Sequence, residues 1–345
     1  MNPKKRVTMK DLAVAAGVTH STVSRALRNH PALPLETRLR IQQTAQRLGY
    51  ALNPVVSEVM TRVRKAGNVH FMGELAYVTN WPRRDAWRKI PLYPRTFEGA
   101  FERAGQLGYR LEEYWLREEG MTAARMSAIL ETRGVRGLII AQMPMPPARW
   151  HLSMDWPRFS AVTVGYSVCR PDLDRVTVHQ SRMVTTAVRQ LRRLGYRRIG
   201  LAMPSYHDER TDNQMLGAFL VQRHRFGADS MPFLLIPKLS KEMFVSWFQK
   251  HRPEVVMGLG EDLLRWLREM GKRIPEDVGC VALDLPNTDG TVAGIYPESA
   301  LAGVYAVDLL IAKLQRNECD IPSRPQLVLF AGTWVDGATV RQKRH

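Results

Sequence analysis

The sequence predicts an α/β protein in which an N-terminal head of three short helices precedes a core of two lobes, each built on a doubly wound parallel sheet. Two observations predict this class. The first fifty residues carry signals for helices only, and from Val69 onward apolar strand candidates alternate with helical stretches. The 345 residues exceed the size that one hydrophobic core usually supports. We therefore expect separate domains.

The first two helices of the head are predicted from their end signals. Thr8 precedes an apolar run that Gly17 ends, and Thr19 then caps a second helix that continues to about Arg28. A helix, a glycine turn and a second helix within about twenty residues form the pattern of a helix-turn-helix.

A third helix is predicted from about residue 35 to residue 48, where Gly49 stops it. Residues 1–50 are therefore assigned to the head domain. Residues 51–68 contain a short apolar run with helical spacing, which is too short to be a stable helix on its own. This run is predicted to be a linker that folds on a partner, and residues 69–345 form the core.

Positive charge is concentrated at the N-terminal end. The first 68 residues hold 12 Lys and Arg against 3 Asp and Glu, which is +9 of the net charge of +17. A basic end is expected of a protein that binds a polyphosphate, and such binding weakens steeply with salt. Basic residues that served solubility alone would not be concentrated in this way.

Composition argues against several other classes of protein. The three cysteines are scattered and form no Cys-x-x-Cys pair, so neither a disulfide framework nor a thiolate zinc site is expected. No apolar run is long enough to span a membrane, and the N-terminus lacks the apolar core of a signal peptide. We expect a soluble, cytoplasmic and nucleoid-associated protein.

Motifs for enzymes and metal sites are also missing from the sequence. Gly258-Leu-Gly260 has neither the third glycine of a dinucleotide loop nor the Gly-Lys-Ser/Thr of a phosphate loop. Tyr206-His-Asp-Glu-Arg210 places three metal-binding residue types side by side, but adjacent side chains diverge, which favours a solvated loop. We predict no catalytic residue, no cofactor and no metal.

The second predicted helix separates an apolar face from a hydrogen-bonding face. The apolar face holds Val23, Ala26 and Leu27. The opposite face holds Ser21, Arg25 and Arg28. An ordinary surface helix with capping hydroxyls would also fit this pattern, but its combination with the glycine turn and the basic charge favours a surface that reads DNA.

Individual roles follow from the chemistry of these side chains. His20 lies at the N-terminal edge of the helix, where recognition helices contact base edges, and Arg25 can bind guanine O6 and N7 together. Thr19, Thr22 and Ser24 are short donors suited to phosphate oxygens, which set the register on DNA.

Residues 7–27, followed by Glu36-Thr-Arg38, Leu48-Gly-Tyr50 and Asn53-Pro54, resemble the N-terminal domain of the lactose-repressor (LacI/GalR) family of bacterial transcriptional regulators. The match is nearly free of gaps over about sixty residues. It implies that residues 18–28 enter the major groove and that His20 and Ser21 set operator choice. The predicted DNA-binding residues are Thr8, Thr19, His20, Ser21, Thr22, Ser24, Arg25, Arg28, Asn53, Val56, Val59 and Met60.

The resemblance also implies that residues 53–63 form a hinge helix that is ordered on DNA and wedges a side chain into the minor groove. The family usually has Ala-Arg-x-Leu there, whereas this chain has Val56-Ser-Glu-Val59. The wedge then falls to Val59 or Met60. Because a smaller wedge unstacks bases less, we expect a shallower bend or a different central base step.

The core also resembles this family at four landmarks. They are residues 134–140, 194–200, 274–278 and 332–337. The resemblance implies a periplasmic-binding-protein-like core that holds a small molecule between two lobes. The N-lobe is expected over about 69–172 plus 297–322, and the C-lobe over about 173–296 plus 323–345.

The positions that contact effectors in the family are altered in this chain. An Asp-Asn pair aligns with His179-Gln180, an Arg with Gln214, and an Asn-Asp pair with Gly260-Glu261, while Asp284 keeps its acid. The loss of Arg and Asp argues against a simple sugar, whose hydroxyls such groups normally bind. The candidate effector contacts are Thr79, Asn80, Trp81, Gln142, His179, Gln214, Glu261, Asp284 and Tyr296.

The segment 79–95 is longer than usual for the family and carries Trp81, Trp87 and Tyr93. These aromatic rings either stack on a sugar ring or cover the mouth of the cleft, and the sequence leaves both alternatives open.

Together these features predict a transcriptional regulator, and specifically a repressor. It would bind a pseudo-palindromic double-stranded DNA operator as a homodimer or a higher oligomer, since two related heads require two inverted half-sites. A small molecule, carbohydrate-derived or otherwise, would control it from the cleft. The alternative is a small-molecule-binding protein of the periplasmic-binding type with little or no effector-controlled DNA binding.

Overall fold

The computed structural model describes residues 9–19, 22–23, 26, 33–47, 71–145, 147, 149–227 and 230–343. The chain divides into two compact units, residues 1–68 and residues 69–345. Within the described residues, no helix combines the length and the apolar character that crossing a membrane requires.

The first unit contains helices α1 (Met9–Ala16) and α2 (Leu35–Arg47), with helical backbone at residues 22, 23 and 26 between them. Gly17 ends α1 with φ +64°, the left-handed conformation that glycine adopts without strain. The amide of Thr22 donates to Thr19 Oγ1 at 3.3 Å, so the predicted cap at Thr19 is confirmed. The buried cluster of this unit is Ala13, Ala16, Val23, Ala26, Ile41 and Ala45.

The core alternates strands and helices along the chain, as predicted. Its strands are β1 (Gly73–Thr79), β2 (Tyr109–Trp115), β3 (Gly137–Ile140), β4 (Trp150–His151), β5 (Ser160–Val164), β6 (Val168–Arg170), β7 (Asp174–Val178), β8 (Ile199–Pro204), β9 (Phe233–Ile236), β10 (Val255–Gly258), β11 (Gly279–Ala282), β12 (Ala293–Tyr296), β13 (Leu327–Phe330) and β14 (Thr333–Val335). Its helices are α3 (Leu92–Gln106), α4 (Ala123–Thr132), α5 (Gln180–Arg193), α6 (Ser205–Arg210), α7 (Gln214–Phe226), α8 (Lys241–His251), α9 (Asp262–Glu269) and α10 (Ser299–Arg316), and two short 3₁₀ turns cover Ala86–Lys89 and Trp156–Arg158.

The strands form two six-stranded sheets and one small two-stranded sheet. The first large sheet has the order β13-β7-β5-β3-β1-β2 and is parallel throughout. The second has the order β14-β12-β11-β10-β8-β9 and is parallel except for β14. The predicted α/β class with two doubly wound parallel sheets is confirmed.

Each large sheet is covered by helices on both faces, which explains its continuous apolar strands. In β1, Leu75 and Tyr77 pack toward α3 and α10, while Ala76 and Val78 pack toward α4 on the other face. This alternation is the ordinary period of two of a strand. Both faces are therefore buried, as the apolar runs in the sequence indicate.

Helices α3 and α10 approach each other closely because glycines lie at their contact. A Cβ on Gly303 would overlap the carbonyl oxygen of Thr96, and a Cβ on Gly99 would overlap that of Ala300. Backbone is thus packed directly on backbone at this position. The contact holds α3, whose N-terminal turn borders the cleft, against the first sheet.

The lobe boundaries differ from those expected. Strand β7 pairs with β5, and β13 pairs with β7, so both belong to the N-lobe sheet. The chain therefore crosses between lobes at about residues 179, 297–298 and 331–332, and the expected crossings after residues 172 and 322 are wrong. Asp174 explains the position of β7: its carboxylate lies against Lys313 of α10 and accepts a hydrogen bond from the amide of Gln326 at 2.7 Å.

Candidate effector cavity and DNA-binding face

Two of the predicted DNA-binding residues lie within the described part of the head. Thr19 is exposed and Thr22 is half-buried, and their hydroxyl oxygens are hydrogen-bonded at 2.9 Å. Val23 and Ala26 are fully buried, as predicted for the apolar face, whereas its third member, Leu27, lies outside the described residues. The remaining predicted DNA-binding residues lie outside the described residues: Thr8, His20, Ser21, Ser24, Arg25, Arg28, Asn53, Val56, Val59 and Met60.

A cavity of about 250 Å³ lies between the two lobes of the core. Its walls come from loops at the carboxyl ends of the parallel strands, where ligands bind in open α/β sheets. The N-lobe contributes Gln142 after β3 and Tyr166 after β5, and the C-lobe contributes His207 after β8, Leu259 after β10 and Asp284 after β11. Groups from both lobes therefore meet at one small space.

Arg210 is the buried cation of this cavity. It is the last residue of α6 and is 8% exposed. Its Nη2 donates to the carbonyl oxygen of Met143 at 2.5 Å, whereas Nη1 is buried and has no hydrogen-bond partner among the described residues. Burial lowers the pKa of the guanidinium, which nevertheless stays charged at physiological pH.

Asp284 lies on the C-lobe side of the same cavity. Its Oδ1 accepts a hydrogen bond from the amide of Gly260 at 2.8 Å. Desolvation, with a smaller contribution from the neighbouring Glu261, outweighs this hydrogen bond and raises the pKa of the carboxyl to about 7. Near neutral pH a substantial fraction of Asp284 is therefore uncharged and able to donate a hydrogen bond.

Two further polar side chains border the cavity. Tyr93, in the first turn of α3, has its pKa raised by burial, so its hydroxyl keeps its proton. Burial and the nearby Arg210 lower the pKa of His207 to about 4, so its imidazole is neutral. The polar part of the wall thus combines one fixed cation with several uncharged donors.

Polar contacts tie the two lobes together around the cavity. Arg210 reaches the Met143 carbonyl across the cleft, and Gln214 Nε2 donates to the Tyr166 hydroxyl at 2.7 Å. Arg149 Nη2 donates to Asp212 Oδ1 at 2.8 Å, and Arg95 Nη1 donates to the Tyr296 hydroxyl at 2.8 Å. The lobes are therefore in contact on several sides of the cavity.

The predicted effector contacts are only partly brought together. Gln142 and Asp284 line the cavity, and Glu261 lines an adjoining cavity of about 380 Å³ that shares Asp284. Gln142 Oε1 is buried with no hydrogen-bond partner among the described residues. Gln214 and Tyr296 form lobe contacts instead of lining the cavity.

The other predicted contacts lie away from the cavity wall. Thr79 is fully buried at the end of β1, and its hydroxyl donates to Glu113 at 3.3 Å. Asn80 Oδ1 accepts a hydrogen bond from Arg117 at 3.2 Å. His179 precedes the first residue of α5, where its backbone amide donates to the carbonyl of Phe330.

The aromatic segment 79–95 packs mainly against the N-lobe. The indole of Trp81 donates to the Gln142 carbonyl at 2.9 Å, and that of Trp87 donates to Glu113 at 3.0 Å. Both tryptophans are buried, and only Tyr93 of the three aromatic residues lines the cavity. The tryptophans thus support the wall from behind.

The segment 206–210 is not the solvated loop that the sequence favoured. It lies in α6, where Asp208 and Arg210 are buried. Asp208 Oδ1 accepts a hydrogen bond from the Leu216 amide at 2.9 Å in the first turn of α7, which explains its burial. Sequence reasoning missed Arg210 as a cavity residue, although its place shortly after a buried strand was the available signal.

Two family models match the chain. The model described as bacterial regulatory proteins, lacI family, matches residues 8–53, and the periplasmic binding protein-like domain matches residues 188–340. The chain is 24% identical over 325 residues to the HTH-type transcriptional regulator PtxS of Pseudomonas putida, covering 90% of this chain and 91% of that protein. It is 47% identical over 47 residues to the probable HTH-type transcriptional repressor ExuR of Bacillus subtilis, covering 14% of each.

Solved structures of similar fold cover nearly the whole chain. The transcriptional regulator CelR in complex with cellobiose has a TM-score of 0.56 and 18% identity, covering 97% of this chain and all of that one. The Lac repressor dimer bound to operator and the anti-inducer ONPF has a TM-score of 0.53 and 17% identity, covering 97% and 99%. The two family models and the relatives agree with the motifs of the head and the fold of the core. The chain therefore belongs to the LacI/GalR family of bacterial transcriptional regulators, and it is a DNA-binding regulator and not an enzyme.

Proposed function

We propose that this regulator represses transcription by binding a pseudo-palindromic operator as a homodimer. The observation that carries this proposal is the helix turn capped by Thr19, which buries Val23 and Ala26. The helical period assigns the polar side chains, including Arg25, to the opposite face. Two copies of such a head around a two-fold axis require two inverted half-sites.

We further propose that a small molecule in the cavity between the lobes controls operator binding. Support comes from the convergence of Gln142, Arg210 and Asp284 at the carboxyl ends of strands from both lobes. A ligand that contacts both lobes stabilises one lobe arrangement over another and can shift DNA affinity by that difference.

Sequencing the genomic fragments that the full chain retains is the direct test of operator binding. We expect enrichment of an inverted repeat. In the variant Arg25→Ala we expect a loss of about 1–3 kcal/mol that is confined to one symmetric base pair. An equal loss on specific and random DNA would instead make Arg25 a phosphate contact.

The alternative, a small-molecule-binding protein without controlled DNA binding, makes a different prediction. It requires that the chain shift genomic DNA weakly and without sequence preference at both low and high salt. A specific operator complex would keep its preference for one sequence as salt rises, although its affinity falls. Gel shifts at two salt concentrations distinguish the two functions.

A further inference from the structure

We propose that the effector is a small organic carboxylate and that the guanidinium of Arg210 binds its carboxylate group. The assignment rests on the proposed effector control and adds to it the chemical class of the ligand. It also identifies a ligand-binding residue at a position other than Gln214, where the family resemblance places an arginine.

The charge of Arg210 has no counterpart within the described residues. The side chain is buried, forms no ion pair with any described carboxylate, and leaves Nη1 without an acceptor. A buried cation without a partner costs free energy, whereas pairing it with a carboxylate through two hydrogen bonds recovers that cost. The cavity therefore favours a ligand that brings a negative charge to Nη1.

A comparison with Arg149 separates ligand binding from a purely structural role. Arg149 also ties the two lobes, but its charge is paired with Asp212 at 2.8 Å and its side chain is half exposed. Arg210 needs only Nη2 to reach the Met143 carbonyl. A role in joining the lobes does not explain why Nη1 of Arg210 is buried without an acceptor among the described residues.

The other titratable side chains of the cavity wall carry little charge below neutral pH. Tyr93 and His207 are uncharged, and Asp284 is largely protonated below neutral pH. Each can donate a hydrogen bond to an oxygen of the ligand or accept one from its hydroxyl groups. Among the described residues of the cavity wall Asp284 is the only acidic one, so the wall offers few ionised acceptors for the hydroxyl groups of a neutral polyol.

The size and lining of the cavity limit the body of the ligand. About 250 Å³ is at the small end of ligand sites. Several aliphatic and aromatic side chains of the wall surround the polar groups: Leu92, Val164, Met183, Met215, Leu259 and Phe330. A single ring or a short carbon chain with one carboxylate fits this environment.

The test measures binding of two matched pairs of compounds to the full chain by titration calorimetry. Benzoate is compared with benzamide, and glucuronate with glucose, so that each pair differs chiefly in the carboxylate. We expect at least one carboxylate to bind while its neutral counterpart binds at least tenfold more weakly. The pair that responds tells whether the body of the ligand is apolar or hydroxylated.

Variants then assign the contact. In Arg210→Gln we expect affinity for the carboxylate to fall roughly 30-fold or more, because a charge-assisted buried contact is lost. Arg210→Lys keeps the charge without the planar fork and should bind with intermediate affinity, which also decides the matter if the glutamine variant fails to fold. Arg149→Gln removes a lobe contact outside the cavity and should retain carboxylate affinity within about threefold.

Three results would overturn the proposal. They are no binding of either carboxylate at millimolar concentration, equal binding of the neutral partners, and unchanged affinity in Arg210→Gln. Operator affinity is measured in parallel with and without the bound carboxylate. If the carboxylate binds through Arg210 but leaves operator affinity unchanged, the binding site stands and the effector control is refuted.

Discussion

Replacing Asp284 by Asn tests whether the cavity holds its carboxyl group in a desolvated state. The native pKa is raised to about 7, chiefly by desolvation. An unfolded chain restores the ordinary value near 4. Asparagine keeps the size of the side chain and an oxygen that accepts the hydrogen bond from Gly260, so the substitution removes the charge and little else.

The effect on stability follows from proton linkage. Between about pH 4 and pH 7 the native state holds a proton on Asp284 that the unfolded state has released, so this residue lowers the free energy of unfolding as pH rises through that window. A shift of about three pKa units corresponds to at most about 4 kcal/mol. Because the side chain is partly exposed, we expect about 2–4 kcal/mol.

Urea unfolding of the wild type and of Asp284→Asn at a series of pH values and constant ionic strength measures this difference. The free energy of unfolding of the variant minus that of the wild type should be near zero at pH 4. It should rise between about pH 4 and pH 7 and stay constant above pH 7. A difference that is flat over this window would refute the raised pKa. Asp277→Asn is the control. Hydrogen bonds from the Arg273 side chain and amide lower the pKa of Asp277 to about 2. The difference in free energy of unfolding between this variant and the wild type should therefore not change over the same window.

Two further predictions concern the N-lobe. Lys313→Met leaves the carboxylate of Asp174 buried without its cation and should lower the free energy of urea unfolding by about 3–5 kcal/mol. Arg316→Met removes an exposed ion pair and should lower it by less than about 1 kcal/mol. Equal losses in the two variants would contradict the buried pair. Gly303→Ala should destabilise the chain by about 1–3 kcal/mol because its methyl group meets backbone, while Gly217→Ala in an open helical position should stabilise it by up to about 1 kcal/mol. A neutral Gly303→Ala would mean that α3 and α10 can separate freely.

The sequence predicted most of the fold because the strands and helices of a doubly wound sheet are indicated by local sequence patterns. Strands such as β3, β9 and β10 are short apolar runs, and glycines such as Gly108 and Gly195 take left-handed conformations after the helices. The lobe boundary was wrong because it depends on a long-range pairing. Nothing in the residues around Asp174 reveals that β7 pairs with β13, some 150 positions away.

The cavity was harder to predict for a related reason. Gln142 and Asp284 were predicted to line the cavity, whereas Arg210 was not, because the family resemblance aligns its effector-binding arginine with Gln214. In the structure Gln214 lies at a lobe contact and Arg210 lies one turn earlier in the chain, on a different helix. Which of two neighbouring positions faces a cavity depends on how a short helix docks, and sequence spacing does not determine that.

The position of Arg210 bears on how a ligand could change the arrangement of the lobes. The side chain belongs to the C-lobe and lines the cavity, yet its Nη2 is bound to the Met143 carbonyl of the N-lobe, while its buried Nη1 has no acceptor among the described residues. A ligand carboxylate at Nη1 would fix the guanidinium plane and with it the geometry of the Nη2 contact. Such a ligand binds most tightly to the arrangement in which both contacts form together, so its binding energy depends on how the lobes are placed. A differential affinity of this kind is what thermodynamic linkage requires of an effector, and a ligand held by one lobe alone would not have it.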